Sequence, residues 1–216
     1  MHDYWSKNMA KSSFYWVFAL FLVVACQVEQ KGLPILGPKT VVQKAIDGYK
    51  IGDTMYHQIP YFALINQEAD TVGSDFLDGK PYIANFFFVN CPNICPAMTS
   101  NLWKIKQNLP DDFQMVSFTV NPEKDSPEVL KNYANKFNID TKNWTFFTGD
   151  KTEIYELAAE GYFMHAQMDS LAPGGFLHSS QLILIDQKSR IRGLYDGLNP
   201  EDLEKLTLDA KKLHAK

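Results

Sequence analysis

The sequence predicts an α/β fold in which a central mixed sheet is flanked by helices. Two observations carry this. Tyr82–Asn90 (YIANFFFVN) is a nearly continuous apolar run with aromatics, which reads as a strand buried on both faces. After the first strand, extended and helical patterns alternate as β-α-β-α-β-α-β-β-α, an order that builds a sheet with a parallel part.

The elements follow in order. Ile59–Ile65 reads as a first strand and Gln67–Asp78 as a turn-rich polar segment. Cys91 comes directly after the buried run. Pro96 suits the first turn of a helix, where its missing N–H costs nothing. Met98, Leu102, Ile105 and Leu109 give that helix an apolar stripe. Gln114–Val120 is a second central strand. Ser126-Pro127-Glu128 starts a helix, with Ser as N-cap and Pro in the first position. Its apolar face holds Val129, Leu130, Tyr133, Ala134 and Phe137. Thr145–Thr148 is a short strand, Asp150 and Glu153 resemble a capping box, and Gly161 closes the helix between them. Gln181–Asp186 and Ile191–Tyr195 flank a polar turn and read as a hairpin. Asn199-Pro200 opens a last helix, with Leu203, Leu206, Ala210 and Leu213 inward. A closing hairpin and terminal helix is the thioredoxin pattern, here with an additional helix and strand.

Composition narrows the function. The 216 residues suit one α/β domain with extras, and 15 Phe supply a sizeable core. Net charge is −4 and no basic stripe is visible, which argues against nucleic acid as a partner. There is no internal repeat and no low-complexity tract.

Residues 1–26 read as a targeting segment. Lys7 and Lys11 precede Phe14–Ala25, an apolar run of 12 residues. That is shorter than the roughly 20 residues a spanning helix needs, and it matches the apolar part of a secretory signal. Val23-Val24-Ala25-Cys26 resembles a bacterial lipobox, in which the Cys is acylated and becomes the new N-terminus. The alternative is a plain membrane anchor. Met9 is a second candidate start and leaves the argument unchanged. Either reading places the protein in the bacterial cell envelope, outside the cytoplasm and held to a membrane. Residues 27–50, broken by Gly32, Pro34, Gly37 and Pro38, read as a tether, leaving 51–216 as the domain.

The chemistry centres on cysteine. If Cys26 is taken by lipidation, Cys91 and Cys95 remain as a pair with i, i+4 spacing, suited to neighbouring turns of a helix or a tight loop. In open α/β sheets, sites form beyond the carboxyl ends of strands. A helix N-terminus there favours thiolate, so both sulfurs are expected to be partly ionised and exposed. In an oxidising compartment such a pair is structural, redox-active or metal-binding. His178 stands before the Gln181–Asp186 strand, after Pro173-Gly174-Gly175. In a thioredoxin topology it can face the two cysteines. Two sulfurs and one nitrogen suit Cu(I), and imidazole also tolerates Cu(II). Zinc in a closed structural site usually takes a fourth protein ligand. Taken alone, Cys91 and Cys95 also fit a disulfide, structural or redox-active, and His178 fits an ordinary strand-edge residue. His2, His57, His165 and His214 show no such placement, and Met164, Met168 and Met98 read as packing residues.

Four stretches resemble one family. Phe86-Phe87-Phe88-Val89-Asn90-Cys91-Pro92-Asn93-Ile94-Cys95-Pro96 resembles the copper-binding loop of the Sco/SenC family. Val120-Asn121-Pro122-Glu123-Lys124-Asp125-Ser126-Pro127-Glu128-Val129-Leu130 resembles its D-P-x-x-D-T-P-x-x-L stretch. Trp144–Asp150 resembles its W-x-x-L-T-G-D segment, and His178-Ser179-Ser180 its histidine strand. The likeness covers about residues 55–212. It implies a thioredoxin-like fold and a metallochaperone that carries copper to the CuA centre of cytochrome c oxidase. On that basis Cys91, Cys95 and His178 match the family's three copper ligands. The partners implied are the oxidase subunit carrying CuA and an upstream copper donor. Asn93 and Asn121 stand where many members have Asp, which bears on partner recognition or copper release. The competing reading is an enzyme, a thiol–disulfide reductase acting on oxidase-subunit cysteines; against it, thioredoxin-type oxidoreductases use C-x-x-C. A peroxidase would need an Arg near an activated Cys, and Arg190 and Arg192, the only arginines, lie far along the chain.

Overall fold

The structure is a computed structural model that describes residues 32–46, 48–92, 94–164 and 180–215. Cys26 and the rest of the targeting segment, Asn93, and the 165–179 stretch with His165, Met168 and His178 lie outside the described residues.

The described chain runs β1 (Lys39–Val41), β2 (Thr54–Tyr56), β3 (Ala63–Asn66), β4 (Thr71–Gly73), a 3₁₀ turn (Ser74–Leu77) and β5 (Tyr82–Phe87). It continues through α1 (Ile94–Lys106), β6 (Gln114–Thr119), α2 (Pro127–Lys136), β7 (Trp144–Thr148), α3 (Lys151–Glu156) and a π turn (Leu157–Gly161). It closes with β8 (Gln181–Ile185), β9 (Ile191–Asp196) and α4 (Pro200–His214). Seven strands form one mixed sheet in the order β4-β3-β7-β6-β5-β8-β9; β1 and β2 pair separately. Strands β5, β6 and β7 are parallel, while β3 and β8 run antiparallel to their neighbours.

Every residue of β5 and β6 is buried, as their apolar composition requires of strands covered on both faces. Alternation along them sorts the aromatic core. Phe87 and Phe146 meet Tyr133 of α2 on one face. Phe86 and Phe118 meet Tyr162, after the π turn, on the other. The first face also carries a buried polar chain: Trp144 Nε1 donates to Ser117 Oγ at 2.8 Å, and Ser117 donates to Asn85 Oδ1 at 2.6 Å. A hydrogen bond of 2.8 Å between Thr99 of α1 and Tyr133 of α2 joins the two helices on that face.

The helix starts follow their sequence signals. Ser126 Oγ accepts from Val129 N, Asp150 caps α3 through Thr152 N and Glu153 N, and Asn199 caps α4. At the first strand the structure departs from the sequence expectation. The strand forms at Ala63–Asn66, not from Ile59, because Ile59 N donates to Ser189 O and Pro60 has no N–H to pair. The polar stretch after it folds back as β4, turning at Ala69, whose φ is +67°. Part of the expected tether is also structured. Leu36 N donates to Ile191 O, Arg192 donates to the carbonyls of Pro34 and Leu33, and β1 pairs with β2. The folded unit therefore begins at Leu33.

Candidate metal centre

Strand β5 lies between β6 and β8 and delivers the chain to the end of the sheet where Cys91 sits. Cys91 N donates to Phe88 O at 3.3 Å, closing a turn that carries the chain toward α1. Cys95 is the second residue of α1, on the face that buries Met98, Thr99, Leu102 and Ile105. The sequence therefore places one sulfur just before the helix and the other in its first turn.

Both cysteines are buried, at 4% and 3% exposure, and no disulfide joins them. Burial pushes the Cys95 thiol up to about 12; a hydrogen bond with the Phe88 backbone opposes this, while the Cys91 side chain, hydrogen-bonded to Cys95, and Asp125 add to it. This corrects the expectation of ionised, exposed sulfurs. The helix N-terminus lies close enough to favour thiolate, but desolvation outweighs it at Cys95. The contact between the two side chains still lets one ion touch both sulfurs.

Near Cys95 lies a polar group that sequence reasoning did not single out. Asp125 is fully buried; its Oδ2 accepts from Val89 N at 3.0 Å and from Thr119 Oγ1 at 2.5 Å. Its Oδ1 is buried without a hydrogen-bond partner. Burial raises its pKa, against the hydrogen bonds from Thr119 and Val89 and the charge of Lys124. An Asp directly before an N-cap Ser reads as a surface residue, so its signal was only its place in the Asn121–Leu130 stretch. Tyr133 packs on the apolar helix face as expected, and its hydroxyl meets Thr99 there.

Of the three expected ligands, the described structure brings together Cys91 and Cys95. Among the described residues no group of three His, Cys, Asp or Glu side chains forms a metal cluster. Ser180 leads into β8, and its carbonyl accepts from Gly197 N at 2.7 Å. A Cβ on Gly197 would stand 2.7 Å from Met98 Cγ and 2.9 Å from the Ser180 oxygen. Ser180 therefore enters β8 beside the α1 turn that follows Cys95. The other described histidines are engaged elsewhere: His57 Nε2 with Gly161 O at 2.7 Å, His214 with Asp112 at 3.3 Å.

The mixed sheet, the closing hairpin with its helix, and a buried dithiol after the central strand define a thioredoxin-like protein carrying paired cysteines. The SCO1/SenC family model matches residues 52–213, and the chain belongs to that family. Its structure is similar to that of a SCO1/SenC family lipoprotein from Bacillus anthracis, at a TM-score of 0.68 and 32% identity over 74% of this chain and 96% of the other. BsSco, a member of the Sco family of cytochrome c oxidase assembly proteins with a disulfide switch, gives 0.65 and 27% over 74% and 94%. Copper-bound ScoI of Arabidopsis thaliana gives 0.57 and 27% over 71% and 95%.

Proposed function

We propose that the protein is a copper carrier that takes up one ion through Cys91, Cys95 and His178 and delivers it to the CuA-bearing subunit of cytochrome c oxidase. The observation that carries this reading is the pair of touching cysteine side chains at the end of β5. Two sulfurs in contact are a soft donor set, suited to Cu(I), and a third ligand of imidazole type closes it. His178 is separated from Ser180 by Ser179 alone, two Cα steps of about 3.8 Å each. Since Ser180 lies next to the turn after Cys95, the tether on the imidazole is short. Copper in the Arabidopsis relative and oxidase assembly in BsSco support the same reading.

Residues 1–26 act here as an export signal with Cys26 as the acylated residue, so the carrier works from the membrane of a bacterial envelope. The lipoprotein relative from Bacillus anthracis supports this. No helix among the described residues is long and apolar enough to cross a membrane. An upstream donor supplies the ion.

Anaerobic titration with Cu(I) tests the carrier reading. One equivalent is expected to bind per chain, with sulfur and nitrogen ligands in X-ray absorption. Stoichiometric binding that survives Cys91→Ser with Cys95→Ser ends the proposal, and binding unchanged by His178→Ala removes the third ligand.

A second reading, dithiol reduction of the oxidase subunit, is favoured by the Cys91–Cys95 contact, which suits disulfide formation. Against it, burial pushes the Cys95 thiol up, so Cys95 itself is a poor attacking group at neutral pH. Catalytic turnover of a model disulfide by the reduced protein distinguishes the two.

A further inference from the structure

Twelve large hydrophobic side chains are exposed among the described residues, and five of them fall in one short stretch: Val41, Ile46, Tyr49, Ile51 and Tyr56. This stretch is the β1–β2 hairpin and its tip, which stand apart from the seven-stranded sheet. Val41 pairs with Thr54, and Lys39 with Tyr56, so Val41, Lys39 and Tyr56 share one face of the ribbon. Val42, the next residue, is buried and exchanges backbone hydrogen bonds with Gly52 and Asp53. Beyond the ribbon, Ile46 and Tyr49 form a bridge, and Ile51 is 71% exposed just after it. Lys39, Lys44 and Lys50 are also exposed. Such a concentration of uncovered apolar groups on a soluble surface marks an interaction face.

We propose that this hairpin docks on the lipid surface to which the protein is anchored. The chain length argues for the occupant. Twelve residues, 27–38, separate Cys26 from β1, and even fully extended they reach only about 40 Å. Part of that length is already taken up, because Leu33, Pro34 and Leu36 are hydrogen-bonded to β9. The hairpin is thus the first strand pair after the anchor, three residues past Leu36, and is held at high effective concentration near the bilayer. Its composition suits the interface. Tyr49 and Tyr56 offer amphipathic rings for the headgroup level, and Ile46 and Ile51 offer aliphatic tips. The three lysines can lie with their stems along apolar surface and their charges among phosphates. Docking here would fix the orientation of the domain on the membrane. The proposal rests on the reading of residues 1–26 as an anchor.

The test is hydrogen exchange on the full chain in vesicles of phosphatidylethanolamine and phosphatidylglycerol, compared with the triple variant Val41→Ser, Ile46→Ser, Ile51→Ser. These changes lie on exposed positions, and matched thermal unfolding checks that the fold is retained. Residues 41–56 of the wild type are expected to exchange about tenfold more slowly than in the variant, with the rest of the domain unchanged. Equal exchange in two vesicle-bound proteins overturns the docking and leaves the anchor reading standing. Failure of the wild type to associate with vesicles overturns both. Protection that disappears when the protein is diluted in lipid assigns the face to a second copy, and protection that needs an added oxidase subunit assigns it to that subunit; either result overturns the proposal.

Discussion

Val89 donates its backbone N–H to Asp125 Oδ2 at 3.0 Å, so a carboxylate from the loop after β6 holds the chain two residues before Cys91. The same oxygen takes the Thr119 hydroxyl from the end of β6, and Thr119 Oγ1 accepts from Asn121 N at 3.0 Å. The turn that presents Cys91 is therefore built from two loops, tied by one buried group.

Removing that group as Asp125→Ala is expected to cost about 1–3 kcal/mol, because the buried Thr119 hydroxyl and the part-buried Val89 N–H lose their acceptor. Asp125→Asn keeps an acceptor and tests the charge. Burial raises the Asp125 pKa in the folded state, so its protonation favours folding. Its contribution is fully present below the ordinary carboxylate value and is lost as pH rises through the folded one. Denaturant unfolding across the acid range is expected to show a wild-type stability that declines with rising pH in that window, relative to Asp125→Asn.

Asp186 has the opposite sign. Its burial raises the pKa, but hydrogen bonds from the Arg190 and Arg192 guanidinium groups and from the Arg190 and Lys188 backbone outweigh this and hold it low. Its contribution is present above the ordinary carboxylate value and is lost as pH falls through the folded one. Asp186→Asn is expected to cost about 3 kcal/mol at neutral pH, since Arg192 remains mostly buried. Arg192 also holds the carbonyls of Leu33 and Pro34, so amides near Leu36 are expected to exchange faster in this variant.

With the proposed ligand set, the buried Cys95 thiol would make copper loading a proton-releasing step. Its pKa near 12 keeps it protonated at pH 7, and a copper-bound cysteine is a thiolate. Calorimetric titration in buffers of different ionisation enthalpy is expected to show at least about one proton released per Cu(I). Alkylation of Cys95 in the folded, metal-free protein is expected to be much slower than in the unfolded chain.

Gly197 controls how closely β8 approaches α1. A Cβ there would press on both the Ser180 carbonyl and Met98. Gly197→Ala is expected to cost about 1–3 kcal/mol of stability by overpacking. On the proposed ligand set it is also expected to weaken Cu(I) binding, because it displaces Ser180, two residues after the proposed ligand His178. A competition titration with a Cu(I) chelator measures this.

Much of the fold was legible because its signals are local. The aromatic run Tyr82–Phe87 gave the central strand, and Ser126, Asp150 and Asn199 cap the helices that they were expected to start. Strand Ala63–Asn66 was misplaced, since Ile59 is held by the distant Ser189 carbonyl. The hairpin at Lys39–Tyr56 was hidden by Gly and Pro residues that read as tether.

The cysteine pair shows the division most plainly. The i, i+4 spacing, the strand before it and the helix after it are properties of neighbouring residues, so the sequence by itself determined that two sulfurs would meet at the end of the sheet. Their protonation was decided by the tertiary structure, because desolvation depends on what packs over a group from other parts of the chain. For the same reason Asp125 reads as a surface acid in the sequence, and only the folded protein buries it against Val89 and Thr119.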